Sequence, residues 1–237
     1  MSIFDSFFDS VFAIVILVIV ALVVLFFVFM FFLVIILALW EKRPLRPYVV
    51  PPPGEEYEPS EKANDSNGSA KRMGFHYCGC FHHGKGGTYK IRCDFWVSPD
   101  GSTLAIIGSG SIARLPVYGI FLYTRQVAGP ILYTTNEIGE QDISGAMEQE
   151  TWPETSFRSL FRKHEHRLTD DVIPFSFDDP LEEYESVLRT MSNTLVDRGL
   201  AYYTDEEETM WRFSLKGAFS FYFITCWIRP FKRAFGS

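Results

Sequence analysis

Lysine and arginine are missing from the first 41 residues of this chain, and aspartate and glutamate from everything after Glu208. Between Ser10 and Trp40 there is no charge of either sign, no glycine and no proline. Without glycine the stretch lacks the small-xxx-small pattern through which apolar helices pair, so nothing in it specifies a dimer. A cleavable signal peptide wants a basic start, a short apolar core and small residues at the cut. Here the start carries Asp5 and Asp9, the run is long, and it ends in bulky Leu39 and Trp40.

What fills residues 10–40 is SVFAIVILVIVALVVLFFVFMFFLVIILALW. As a helix it reaches roughly 46 Å, against a bilayer core of about 30 Å. It can cross with tilt or protrude by a turn or two, and only a helix satisfies its own backbone in lipid. The expectation is a retained transmembrane helix over 10–40 behind a short tail, 1–9. Lys42, Arg43 and Arg46 follow at once, and positive flanks stay in the cytoplasm. The N-terminus is therefore expected outside and the main domain in the cytoplasm, where cysteines are reduced. The triplets Asn64-Asp65-Ser66 and Asn67-Gly68-Ser69 would accept sugar only in a secretory compartment.

Residues 41–72 read as a linker, basic and proline-rich at first, then small, polar and acidic. The first half predicts an extended spacer and the second a flexible one. Pro44-Leu45-Arg46-Pro47 is formally a PxxP ligand, though any proline-rich tether makes such matches.

From Met73 the pattern changes to short strands, predicted at 75–81, 88–97, 103–107, 117–124 and 131–135. The breaks are Gly84-Lys85-Gly86-Gly87, Ser98-Pro99-Asp100-Gly101, Gly108-Ser109-Gly110 and Ala128-Gly129-Pro130, each rich in turn residues. Connections this short join antiparallel neighbours. Two helices follow. Thr151-Trp152-Pro153-Glu154 resembles a capping box, with Phe157, Leu160, Phe161, His164 and Leu168 on one face behind it. The second helix starts at Asp179-Pro180 and ends before Gly199, with the stripe Leu181, Tyr184, Leu188, Met191, Leu195. A hairpin over 200–204 and 209–213 closes the domain. The fold class expected is α+β: one transmembrane helix, then a small domain, 73–213, whose curved antiparallel meander sheet is packed by two helices.

Helix, glycine, hairpin is also the outline of a winged-helix nucleic-acid reader. A net charge of −7 and four acidic residues at the hairpin tip, Asp205 to Glu208, argue against nucleic acid as a partner. LAIIGSGSIA, residues 104–113, imitates a dinucleotide fingerprint, but proline and aromatics follow where that motif needs a helix. WVSPDGSTLAIIGSGS, residues 96–111, echoes a propeller blade that has no second copy. His164 and His166 are two apart on a helix, on opposite sides, and cannot share an ion. No serine or cysteine sits in a recognisable nucleophile context.

HYCGCFHH, residues 76–83, holds three of the five histidines and two of the four cysteines. As a flat strand it would turn His76, Cys78, Cys80 and His82 to one side. Same-face neighbours then stand nearly 7 Å apart, too far for one zinc ion that holds ligands at roughly 2.0–2.3 Å. A bend at Gly79 could bring a pair together and Cys93 could join it. His76, Cys78, Cys80, His82 and Cys93 are thus the candidate metal set, with zinc the only cofactor in view; structural cysteines on a mixed strand face are the plainer reading.

The segment 214–237 is apolar, aromatic and basic. Lys216, Phe219, Phe223, Trp227, Arg229, Lys232 and Arg233 suit a helix lying in the headgroup layer; a helix tucked against the sheet is the alternative. The function expected is that of a membrane-anchored interaction or scaffold domain with a membrane or cytoplasmic protein partner. The alternatives are a ligand- or lipid-binding domain at the membrane surface and a metal-dependent enzyme built on the 76–93 cluster.

Overall fold

The computed structural model describes residues 3–51, 57–83, 89–112, 114–137, 142–153, 155–169 and 171–223. The chain opens with α1, Ile3–Trp40, which extends about 57 Å. Its stretch Ile14–Trp40 is long and apolar enough to cross a membrane. Side chains from Ile14 to Met30 are exposed all round; from Phe31 one side is covered, and Ile35 and Ala38 are buried.

Residues 41–72 are not a free spacer. Arg43–Pro44 forms β1 and Tyr48–Val49 forms β2, each paired to a strand from further along the chain, and Leu45 between them is 1% exposed. Pro44-Leu45-Arg46-Pro47 is therefore part of the fold rather than an open ligand segment. Glu61–Arg72 is a helix, α2, capped by the Ser60 hydroxyl, which accepts from the Ala63 amide. Its asparagine, aspartate, serine and glycine are poor helix formers, so locally it reads as coil. Burial of Ala63, Ser66 and Ala70 against the sheet overrides that preference, because small side chains let the helix lie close.

The large sheet contains β3, His76–His83, β4, Tyr89–Val97, β5, Leu104–Ile112, β6, Leu115–Gln126, β7, Ile131–Thr135, and β8, Met147–Thr151. Its order is β2-β3-β4-β5-β6-β7-β8, antiparallel up to β7; β8 runs parallel to β7. A short β9, Val172–Ile173, pairs with the end of β6. The expected turn at Gly108-Ser109-Gly110 lies inside β5. Glycine is there for close approach: a Cβ on Gly110 would come 1.8 Å from the Lys90 carbonyl oxygen. The chain instead reverses between Ile112 and Leu115, which pair, with Arg114 at φ +70° in the two-residue loop. The expected turn 84–87 lies outside the described residues.

Three helices pack on this sheet, one more than the pattern suggested. α2 and α3, Phe157–Glu165, bury Ala63, Ala70, Phe157 and Leu160 against Trp96, Ala105, Ile107, Ile120 and Leu122. α4, Pro180–Asp197, buries Tyr184 and Val187 on the other face, against Phe95, Val97, Leu104, Ile106 and Tyr123. α4 begins as expected, with Asp179 accepting from the Glu182 amide and Pro180 in the first turn. α3 does not: Thr151 ends β8, and Ser156 is the cap. The architecture is α+β with a mostly antiparallel sheet.

A second, three-stranded sheet of β1, β11, Met210–Phe213, and β10, Ala201–Tyr203, joins the domain to α1. Trp211 and Phe213 share a core with Ile35, Ala38, Leu45 and Leu195, and α5, Leu215–Phe223, closes it with Ala218.

Candidate functional site

The run His76–His83 is a strand whose register slips between Tyr77 and Gly79, leaving Cys78 as a bulge with Gly79 at φ +137°. The bulge corrects the expectation that four ligands share a side. Cys78 packs with Phe81 and Cys93 on the α4 face, where His76 meets the edge of Phe177. Cys80 pairs with Asp94, whose carboxylate faces α2, and His82 pairs with Arg92 and stacks on Tyr57 on that same side, ring centroids 4.5 Å apart. Among the described residues no group of three or more His, Cys, Asp or Glu side chains could hold a metal ion. Burial pushes the Cys78 thiol up to about 11 and Cys93 to about 12, so both stay protonated and poor as nucleophiles or ligands.

On the α2 side, Asp94 is 1% exposed and accepts from Arg92 at 2.9 Å, Tyr77 at 3.2 Å and Asn67 at 2.7 Å. Asn67 in turn accepts from the Trp96 indole at 2.9 Å. This network fastens α2 to the sheet; it is closed and offers nothing to a ligand. His164, expected on the apolar face of α3, is fully buried with the Thr124 and Thr134 hydroxyls 2.9 and 2.8 Å from its ring nitrogens. Burial, with Arg167 adjacent, pushes it down to about 3, so it is a neutral structural group.

A cavity of about 420 Å3 lies on the α4 face, where the large sheet, α4 and the small sheet meet, and a shallow charged one of about 460 Å3 lies among Arg72, Phe75, Asp100, Arg158 and Glu165. The long wall of the first is α4, through Tyr184, Leu188, Met191 and Leu195, and its floor is Tyr48, Tyr123, Tyr133 and Met147. Trp211, Phe213 and Phe221 of α5 close the end nearest α1. Leu188 and Met191 stay only half-buried, although they belong to the apolar stripe of α4. The rings are in mutual contact: Tyr123 and Tyr133 stack at 4.9 Å, and Tyr48 and Tyr184 lie 5.3 Å apart.

Among the described lining residues Glu41, Arg43 and Asp142 carry charge, and each has partners within the fold. Burial pushes all four tyrosine hydroxyls well up, Tyr184 to about 12, so they act as neutral hydrogen-bonding groups. Asp142 reaches the wall, yet its carboxylate accepts from the amides of Ser144, Gly145 and Met147 in its own loop. Arg43 lies flat over Phe213 at 4.8 Å and Trp211 at 5.4 Å and is paired with Glu41 at 3.2 Å. Glu41, Arg43 and Pro44, the first residues after α1, border the space. A smaller cavity of about 150 Å3 shares Tyr48 and His83 with it and holds Glu137. His83, left out of the metal set, lines both of these cavities. The space thus offers ring and aliphatic surface together with neutral hydrogen-bonding groups.

Of the membrane-surface set, Phe219 and Phe223 are exposed on α5, and Lys216 donates to the Arg198 carbonyl at 2.9 Å. Trp227, Arg229, Lys232 and Arg233 lie outside the described residues. The cavity had one trace in the sequence, the aromatic and methionine content of the α4 stripe and of 210–223, which reads equally as core. No family model matches the chain, and no curated protein or solved structure does either.

Proposed function

We propose that this protein is a membrane-anchored binding domain that takes an apolar ligand into the cavity beneath α4. The observation that carries it is the cavity itself: about 420 Å3, lined mainly by aromatic and aliphatic side chains and uncharged tyrosines, with Glu41, Arg43 and Asp142 also on its walls. A scaffold working through its surface would need no such interior space.

The anchor reading is supported by the far end of α1. Ile35 and Ala38 belong to the same core as Trp211 and Phe213, so cleavage after α1 would strip the domain of core residues. The helix is retained, and its exposed part up to Met30 meets lipid. The N-terminus lies outside and the domain in the cytoplasm, on the strength of Lys42, Arg43 and Arg46. Protease added to sealed, right-side-out vesicles should spare the domain; its digestion would reverse the orientation.

Binding is tested by thermal unfolding of the full chain in nanodiscs with the apolar probe N-phenyl-1-naphthylamine. At a hundredfold excess over Kd a single site adds about 2.7 kcal/mol, or roughly 5–10 °C for a domain of this size. Met191→Trp, which fills the space, should abolish the rise. An equal rise in both proteins, or none in either, would refute the reading.

A further inference from the structure

We infer that the ligand is one acyl chain of a membrane lipid and that it enters the cavity from the bilayer rather than from water. This rests on the ligand-binding reading above and adds the chemical class and the route.

The walls of the cavity nearest α1 are built from the elements that meet lipid. Glu41, Arg43 and Pro44 border the space immediately after α1, and Phe221 closes it from α5. On α5, Ala218 is buried, while Leu215, Phe219 and Phe223 stand exposed at four-residue spacing on one face. Phe219 and Tyr222 pack on Phe31 of α1, centroids 5.6 and 4.7 Å apart. The outward face of α5 therefore continues the apolar surface of α1. A lipid beside α1 would touch this continuous apolar surface, which adjoins the α1 end of the cavity.

Size and chemistry narrow the class. At roughly 30 Å3 for a water-sized group, the cavity of about 420 Å3 has room for about fourteen such groups, matching most of one acyl chain. Its walls offer methyl, methylene and ring surface along the α4 side. Among the described lining residues the guanidinium is that of Arg43, which lies at the α1 end, over rings and beside Glu41, where the oxygen-rich end of an acyl lipid would rest. Phospholipids and free fatty acids share that chemistry, an acyl chain ending in anionic oxygen.

The test uses the full chain in phosphatidylcholine vesicles doped with one of two probes, phosphatidylcholine bearing a diazirine in one acyl chain or diazirine-labelled palmitate. After irradiation, adducts are mapped by peptide mass. The expected result is labelling of Leu188, Met191 and Trp211, reduced about tenfold or more in Met191→Trp, a factor of ten corresponding to 1.4 kcal/mol of lost affinity. Met191→Ala, which enlarges the space, should keep the labelling and guards against a misfolded Trp variant. Labelling by the first probe alone identifies the phospholipid, and by the second alone the free acid. Adducts confined to α1 and the outer face of α5 would overturn the inference. If the naphthylamine probe still binds in that case, the ligand-binding reading stands and only the lipid class falls; if it does not, both fall.

Discussion

Asp94 and Arg92 sit two apart on β4, both turned toward α2, and the pair is held by Tyr77, Asn67 and the Tyr57 carbonyl as well. Removing one partner of such a pair leaves a charge with little water and no counterion. Asp94→Ala should cost roughly 3–5 kcal/mol in urea unfolding, and a loss under 1 kcal/mol would show that the network does not hold α2. His164 supplies a pH dependence whose sign is fixed by its environment. Its pKa is about 3 when folded and 6.5 in the open chain, so the unfolded state takes up the proton first. The stability is fully present above 6.5 and declines as pH falls toward 3, by on the order of 1 kcal/mol per pH unit. His164→Gln should flatten the melting temperature between pH 6.5 and 5, and an unchanged slope would assign it to another group. At this scale the sequence was informative about composition and misleading about direction. His76, Cys78, Cys80 and His82 alternate as if on one side, and a single bulge at Cys78 sends them to two.

Elements fixed by local signals were legible, and those fixed by distant contacts were not. α4 announces itself through Asp179-Pro180, a stripe at three and four residues, and Gly199. The hairpin of β10 and β11 does so through its acidic turn. β1 and β2 carry no such marks, and behind its Ser60 cap α2 is a run of poor helix formers. Their reasons for forming lie elsewhere in the chain, in Trp211, His82, Trp96 and Ile107. The expected consequence is that a fragment starting at Met73 fails to unfold cooperatively. It lacks Leu45, Ala63 and Ala70, buried to 1% exposure or less, and also β1 and β2. A fragment starting at Phe31 keeps every one of those contacts, along with Ile35 and Ala38, and should show a single sharp transition by circular dichroism. Equal melting curves for the two fragments would return residues 41–72 to the role of a spacer.

Across the whole molecule, α1, the small sheet and α5 form one core, so the domain is joined to its apolar helix by packing in place of a flexible tether. That junction positions the cavity beside the apolar surface shared by α1 and α5, and it is why the binding reading and the anchor reading support each other. Sequence pattern could locate the apolar helix and the aromatic C-terminal stretch separately. It could not show that Phe31 meets Phe219 and Tyr222, or that a cavity lies beneath α4 with Phe221 of α5 at its end. The most direct measurement is native mass spectrometry of the full chain, released from nanodiscs formed in its own membranes without detergent. The expected spectrum shows one additional lipid-sized mass per chain, absent from Met191→Trp and present in Met191→Ala. A bare chain in all three proteins would contradict the assignment of the cavity as a binding site.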